Sequence, residues 1–258
     1  IRTLRAWQDG FLSIQDEAAM LVAHIAAPIA GPDHLIIDVC AAPGGKTCHL
    51  AEWSGDQTPI MALDIHPARL KLVGEHAARL GIRSITTALA DASGGEGASG
   101  HGEQELLGEA QALLEEEQSL LGEDSFASLS GRAALVLADV PCSGLGLLGR
   151  KPEIKLHMTH EQMTGLYPLQ AAILRRAGSL VQPGGTLIYS TCTINPAENI
   201  DQVESFIQAS GGLFHLDPIA AYLPPQLLQD PDIQAQAAQG WLLLLPQRFF
   251  ALLALGNI

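Results

Sequence analysis

No two cysteines in this 258-residue sequence stand in C-x-x-C spacing. The four thiols, Cys40, Cys48, Cys142 and Cys192, therefore do not outline a zinc ribbon, and no metal is expected. A disulfide framework is also out of character, because it serves small secreted domains that lack a core. Here 47% of the residues are hydrophobic, so a core is available and reduced thiols fit better. No apolar run approaches the ~18 residues that span a bilayer, and nothing at the start reads as a signal peptide. These absences point to a cytoplasmic, monomeric protein without a membrane partner. The first residue is Ile1 rather than Met, which reads as a fragment of something longer.

Positive charge is scarce as well. Lys and Arg number 14 against 28 acids, a net charge of −14, which weighs against a nucleic-acid partner because phosphates need cations. The imbalance is local, however: nine of the acids fall within residues 93–131, which hold no Lys or Arg. The remainder is only mildly acidic, and a local basic patch is what binding requires.

Short apolar runs alternate with helical periodicity, the signature of βαβ units and a parallel sheet. Strands are expected at 35–40, 60–65, 85–91, 134–140 and 186–191, and helices at 46–53, 67–80, 160–181 and 196–209. Later runs at 212–216, 241–245 and 249–255 read as strands that close one edge. The fold class is α/β: a Rossmann-like, mostly parallel seven-stranded sheet with an antiparallel C-terminal edge. Residues 1–30 form a leading, partly helical segment, and 31–258 form the main domain. An acidic insertion at 93–131 opens with a Gly/Ser-rich linker and continues as an amphipathic leucine stripe from Leu106 to Leu121, read as a surface embellishment.

The run D-V-C-A-A-P-G-G-K-T, from Asp38 to Thr47, follows a strand and opens a helix. Gly44 and Gly45 let backbone approach a ligand, and free N–H groups at the helix start suit an anion. A P-loop would need glycine where Cys40 stands, and G-x-G-x-x-G is absent, so a small anionic group fits better than a triphosphate. Asp64, Asp91 and Asp139 end the next three strands, on the rim where open α/β sheets bind ligands. There an acid can accept from ribose hydroxyls (Asp64) or an adenine amino group (Asp91).

Two of the cysteines stand on neighbouring strand ends: Cys142 in D-V-P-C-S-G at 139–144 and Cys192 in Y-S-T-C-T at 189–193. A buried Cys is usually a small hydrophobe, and Cys40 and Cys48 read that way. Cys142 and Cys192 sit instead in turns among small polar residues, where a thiolate can be exposed and activated.

Taken together, C-A-A-P-G-G-K-T at 40–47, D-V-P-C-S-G at 139–144 and S-T-C-T at 190–193 resemble the motifs of RNA 5-methylcytosine methyltransferases. Within that group the chain looks like the bacterial Sun-type (ribosomal RNA small subunit methyltransferase B) enzymes. G-L-G-L-L-G-R-K-P-E-I-K at 144–155, L-Q-A-A-I-L at 169–174 and N-P-A-E-N at 195–199 support this. The resemblance implies that S-adenosyl-L-methionine is bound by Cys40, Ala41, Ala42, Pro43, Gly44, Gly45 and Lys46 and by Asp64, Asp91 and Asp139. It implies further that Cys192 attacks carbon 6 of cytosine, that Cys142 assists product release, and that small-subunit ribosomal RNA is the partner. Such chemistry needs a thiolate because carbon 5 is a poor nucleophile until addition at carbon 6 loads it with electron density. A carboxyl group such as Asp139 can stabilise the charge developing at N3. DNA cytosine methyltransferases use the Pro-Cys thiol, and that analogy would select Cys142. Arg150, Lys151 and Lys155 follow the Pro-Cys motif and are expected to face RNA.

The chain departs from the family in three ways. The insertion is longer and more acidic, the tail lacks an acid and glycine before its final aromatic strand, and these 258 residues do not include the all-helical RNA-binding domain with which members often begin. Alternatives are a transfer-RNA cytosine methyltransferase, a methyltransferase acting on protein or small molecules, and a non-catalytic RNA-binding assembly factor. Neither of the last two needs two strand-end thiols.

Overall fold

The computed structural model describes residues 1–95, 126–244 and 251–257. The acidic helix expected within 106–121 and the junction at 245–250 lie outside the described residues.

One sheet organises the fold. Its strands are β1 (Ile36–Asp38), β2 (Ile60–Asp64), β3 (Ile85–Leu89), β4 (Ala133–Asp139), β5 (Val181–Thr191), β6 (Phe214–Leu216), β7 (Trp241–Leu243) and β8 (Ala251–Asn257). They run in the order β3-β2-β1-β4-β5-β8-β6, with β7 also paired to β8. Strands β1 to β5 are parallel, and β8 is antiparallel to β5, β6 and β7. The sheet thus carries eight strands among the described residues, not the seven expected. Strands β6 and β7 are three residues each and pair with opposite halves of β8, so two strands share one lane. Because both oppose β8, they point the same way as the parallel set, and only β8 runs against it. β5 also starts earlier than the sequence suggests, with a register shift against β4 between Ala133 and Leu135.

The helices are α1 (Arg5–Gln8), α2 (Glu17–Ala26), α3 (Gly45–Trp53), α4 (Pro67–Leu80), α5 (Ile154–His157), α6 (His160–Leu180), α7 (Ile200–Ala209) and α8 (Pro231–Ala238). Period-2 alternation in β4 sends Leu135 and Leu137 to one face and Val136 and Ala138 to the other. The first face packs on Leu21, Val22 and Ile25 of α2, Leu50 of α3 and Ile233 of α8. The second packs on Ile173, Leu174 and Ala177 of α6 and Val203 of α7. Helix α4 covers β2 and β3 through Leu70 and Val73, one helical turn apart. Helix α6 begins with a reciprocal Thr159–Gln162 capping box. Helix α8 has its signal in the sequence too, an Asp230 N-cap ahead of Pro231.

Two features qualify the boundaries read from the sequence. Helix α2, in the leading segment, buries six of its ten residues in the same core as the sheet. The described end of the acidic stretch does likewise, since Phe126 and Leu129 are buried among α6 and β4 residues.

The strand order reverses between β1 and β4, and ligands of open α/β sheets bind outside the carboxyl ends at that point. The turn after β1 and the Pro-Cys loop after β4 therefore flank one crevice.

Candidate active site

The turn after β1 is held by carboxylates that accept backbone and hydroxyl hydrogens. Buried Asp38 accepts from the Thr47 hydroxyl at 2.7 Å and the Cys40 N–H at 3.3 Å, tying the two ends of the turn together. Burial pushes its carboxyl up to about 7, with the Thr47 hydrogen bond acting the opposite way. Asp64 accepts from the Ala42 N–H at 3.2 Å and the His66 N–H at 2.9 Å. Asp91 accepts from the Ser93 N–H at 2.8 Å, the Ser93 hydroxyl at 2.6 Å and the Gly95 N–H at 2.9 Å. The oxygens of Asp38 and Asp64 and the Oδ2 of Asp91 each take one of these bonds and keep a second lone pair for a ligand, whereas Asp91 Oδ1 takes two. Ala41 and Ala42 are buried under the turn, while Pro43 is exposed. Gly44 caps α3 at φ 100°, and a Cβ there would stand 3.0 Å from the Val73 Cα, so glycine lets α3 start against α4. The space beside Gly45 is open.

Neither cysteine of this region is suited to attack. Burial pushes the Cys40 thiol well above its ordinary value and the Cys48 thiol up to about 12.

Across the crevice, Asp139 lies opposite Ser190 in the β4–β5 register. One oxygen accepts from the Ser190 hydroxyl at 2.6 Å and the other from Lys46 Nζ at 2.6 Å. Burial works against the Lys46 charge, but the Asp139 carboxylate outweighs it and holds the ammonium above its ordinary range. Lys46, expected only as part of the turn, thus links the turn to the thiol side.

The two thiols meet. Cys142 Sγ and Cys192 Sγ are 3.2 Å apart, both free, and the Cys192 N–H donates to Cys142 Sγ at 3.2 Å. The hydrogen bond from the Cys142 thiol lowers the Cys192 pKa, and Lys46 helps, against burial and the Asp139 charge. The same hydrogen bond, with burial, pushes Cys142 well up. Both shifts make Cys192 the more acidic thiol of the pair.

A cavity of ≈ 210 Å³ opens onto Lys46, Asp139, Ser190 and Cys192, and its far wall includes Leu21 and Val22 of α2. At its rim Arg150 pairs with Asp16, just ahead of α2. Arg150, expected to face RNA, is therefore engaged by an acid of the leading segment, whereas Lys151 and Lys155 are exposed. Behind the thiols lies Glu198, fully buried and bonded to Ser143 and Thr193, the residues that follow Cys142 and Cys192. Sequence reading gave no role to Asp38 or Glu198, although both stand inside the quoted motifs.

The family model described as "16S rRNA methyltransferase RsmB/F" matches residues 27–110 and 116–237. The Synechocystis sp. protein named "Probable ribosomal RNA small subunit methyltransferase B" is 40% identical over 208 residues, covering 81% of this chain and 40% of its own length. Ribosomal RNA small subunit methyltransferase B of Pseudomonas syringae pv. tomato is 32% identical over 240 residues, 93% of this chain and 46% of its own. The chain thus spans less than half the length of these curated relatives. The crystal structure of NSun6 from Pyrococcus horikoshii with SFG has a TM-score of 0.74 to it at 23% identity, covering 100% of this chain and 56% of that one, a likeness of Rossmann-like fold. The extent of the sequence match leaves one assignment: this chain belongs to the 16S rRNA methyltransferase RsmB/F family.

Proposed function

We propose that this chain is the catalytic portion of an S-adenosyl-L-methionine-dependent enzyme that methylates carbon 5 of a cytosine in small-subunit ribosomal RNA. The observation that carries this reading is the thiol pair, 3.2 Å apart, beside the Lys46–Asp139 ion pair. The names of the curated relatives support the substrate class. The donor set suits the methyl donor: acids at the carboxyl ends of β1, β2 and β4 favour a cationic sulfonium, and the start of α3 suits a carboxylate. Bound S-adenosyl-L-methionine supplies the methyl group.

The Cys192 thiolate forms a bond to carbon 6 of the cytosine, which moves electron density onto carbon 5. Asp139, with Lys46 fixing its orientation, lines the same cavity as Cys192 and is the group assigned to the N3 side of the ring. Contact with the Cys192 sulfur, together with burial, favours the protonated form of Cys142. Once that sulfur is bonded to carbon the hydrogen bond is gone, Cys142 can pass its proton to solvent water, and its thiolate can take the carbon-5 proton. The electrons then restore the C5–C6 double bond, and Cys192 leaves as thiolate.

The test separates the two sulfurs in the full-length protein. Cys192→Ala should abolish methylation and form no adduct with RNA. Cys142→Ala should still attack and methylate, then accumulate as a slow-migrating protein–RNA band on a denaturing gel. An adduct that persists in Cys192→Ala and vanishes in Cys142→Ala reverses the roles.

A further inference from the structure

Glu198 has no exposure to solvent and accepts five hydrogen bonds. Its Oε2 takes the Ser143 N–H at 2.7 Å and Gln170 Nε2 at 3.2 Å. Its Oε1 takes the Ser143 hydroxyl at 2.5 Å, Asn195 Nδ2 at 3.1 Å and the Thr193 hydroxyl at 3.2 Å. All five donors are neutral. A buried carboxylate costs several kcal/mol of desolvation by the usual estimate, so an apolar plug would serve packing better.

What the carboxylate joins explains its presence. Ser143 follows Cys142 and Thr193 follows Cys192, so one side chain grips both thiol-bearing loops. Ser143 Oγ and Thr193 Oγ1 are 2.9 Å apart, and the one Thr193 hydroxyl hydrogen serves either this contact or the longer one to Glu198. Gln170 of α6 extends it by donating to the Pro141 carbonyl at 2.9 Å. From the other side, the Tyr189 hydroxyl donates to the Glu198 carbonyl at 2.8 Å, and Asn199 Nδ2 donates to the Thr193 carbonyl at 3.0 Å. Nothing else in the described structure bridges the two loops through a single side chain with this many bonds. A glutamine here would set its N–H₂ either against the Ser143 N–H and Gln170 Nε2 or against Asn195 Nδ2, none of which can accept, breaking at least one bond to a loop.

We propose that Glu198 is a positioning residue: it clamps the loops after β4 and β5 so that Cys142 and Cys192 stand within hydrogen-bond reach of each other. The proposal rests on the reading that these thiols carry the chemistry, but its main test needs neither RNA nor methyl donor. Diamide, a diazene oxidant, takes two electrons and two protons from a thiol pair, leaving a disulfide and its own hydrazine. The rate of Cys142–Cys192 cross-linking, followed by mass spectrometry, therefore reports the separation of the sulfurs.

In full-length Glu198→Gln, cross-linking should slow by about tenfold or more, because misplacement by even ~1 Å removes most of the proximity advantage. Affinity for S-adenosylhomocysteine should stay within about threefold, since the clamp does not touch the turn after β1. In RNA methylation kcat should fall about a hundredfold with KM nearly unchanged, the signature of lost alignment rather than lost binding. A folded Glu198→Gln protein that cross-links at the wild-type rate overturns the proposal. If that variant does not fold, Ser143→Ala decides: it keeps the N–H bond and loses the hydroxyl bonds, so cross-linking should slow by roughly threefold, and an unchanged rate overturns the proposal. Failure of the wild type to methylate RNA would sink the functional reading and leave the cross-linking result standing.

Discussion

The carboxyl ends of β1 to β3 and those of β4 and β5 face one crevice but are held by different means. On the first side, Asp38, Asp64 and Asp91 take hydrogens mostly from backbone N–H groups within their own or the adjacent turn. On the second, side chains bond to side chains across the long sequence gaps between β4, α6 and the residues after β5. The first arrangement fixes a main-chain surface, which suits recognition of a molecule that is bound and released. The second fixes the relative position of two sulfurs, where a small displacement costs rate more than affinity. Lys46 belongs to both sides, which makes it the place where the comparison is easiest to break.

Lys46→Met should disturb both sides at once. It strips Asp139 of its charged partner and removes the nearby cation that favours the Cys192 thiolate. Because the pair is only partly buried, we expect about 2 kcal/mol of lost alignment and charge stabilisation, roughly thirtyfold in rate. The pH midpoint for iodoacetamide alkylation of Cys192 should move upward, and an unmoved midpoint would detach Lys46 from the thiol side.

Asp64→Ala should separate the halves. It frees the Ala42 and His66 N–H groups, so calorimetry should show S-adenosylhomocysteine binding weaker by ~1–3 kcal/mol. The diamide cross-linking rate should not change. Equal loss of both would mean that the two sides are not mechanically distinct.

Asp38 gives a pH-dependent signal. Its carboxyl is raised from 3.8 to about 7 on folding, so between these values the folded state holds a proton that the unfolded state has released. That contribution to stability is complete below about pH 4 and is lost as pH rises toward 7. Denaturant unfolding should show a falling slope over this window, and Asp38→Asn should flatten it. A slope that survives the substitution assigns the proton elsewhere.

The Arg150–Asp16 pair should matter least for stability. Both side chains are more than a third exposed, so Asp16→Ala should cost ~0–1 kcal/mol. If Arg150 is an RNA contact held back by Asp16, Asp16→Ala should tighten RNA binding and Arg150→Ala should weaken it. The same direction in both variants would leave the pair as a plain surface bridge.

Much of this was legible before folding was considered. The strand–turn–helix from Asp38 to Thr47 is contiguous, and its glycines and helix start act through local geometry that spacing reveals. The parallel sheet followed from alternating periodicities, and the pairing of the thiol loops from adjacency of strand ends. The strand count did not follow, because whether two three-residue strands share a lane depends on how β8 is paired. Helix α8 was missed although Asp230–Pro231 signals its start.

The sequence by itself determined which chemical groups exist and which backbone segments present them: the glycine turn, the strand-end acids and the two cysteines. Tertiary structure decided which groups touch. Lys46 meets Asp139 across 93 residues, Ser143 meets Glu198 across 55, and Cys142 meets Cys192 across 50. Such contacts depend on strand register and on how helices pack over strand ends, and a one-residue slip would turn each side chain to the opposite face. Local spacing carries no record of that register, so the thiol separation and the buried carboxylate behind it become visible only in the folded chain.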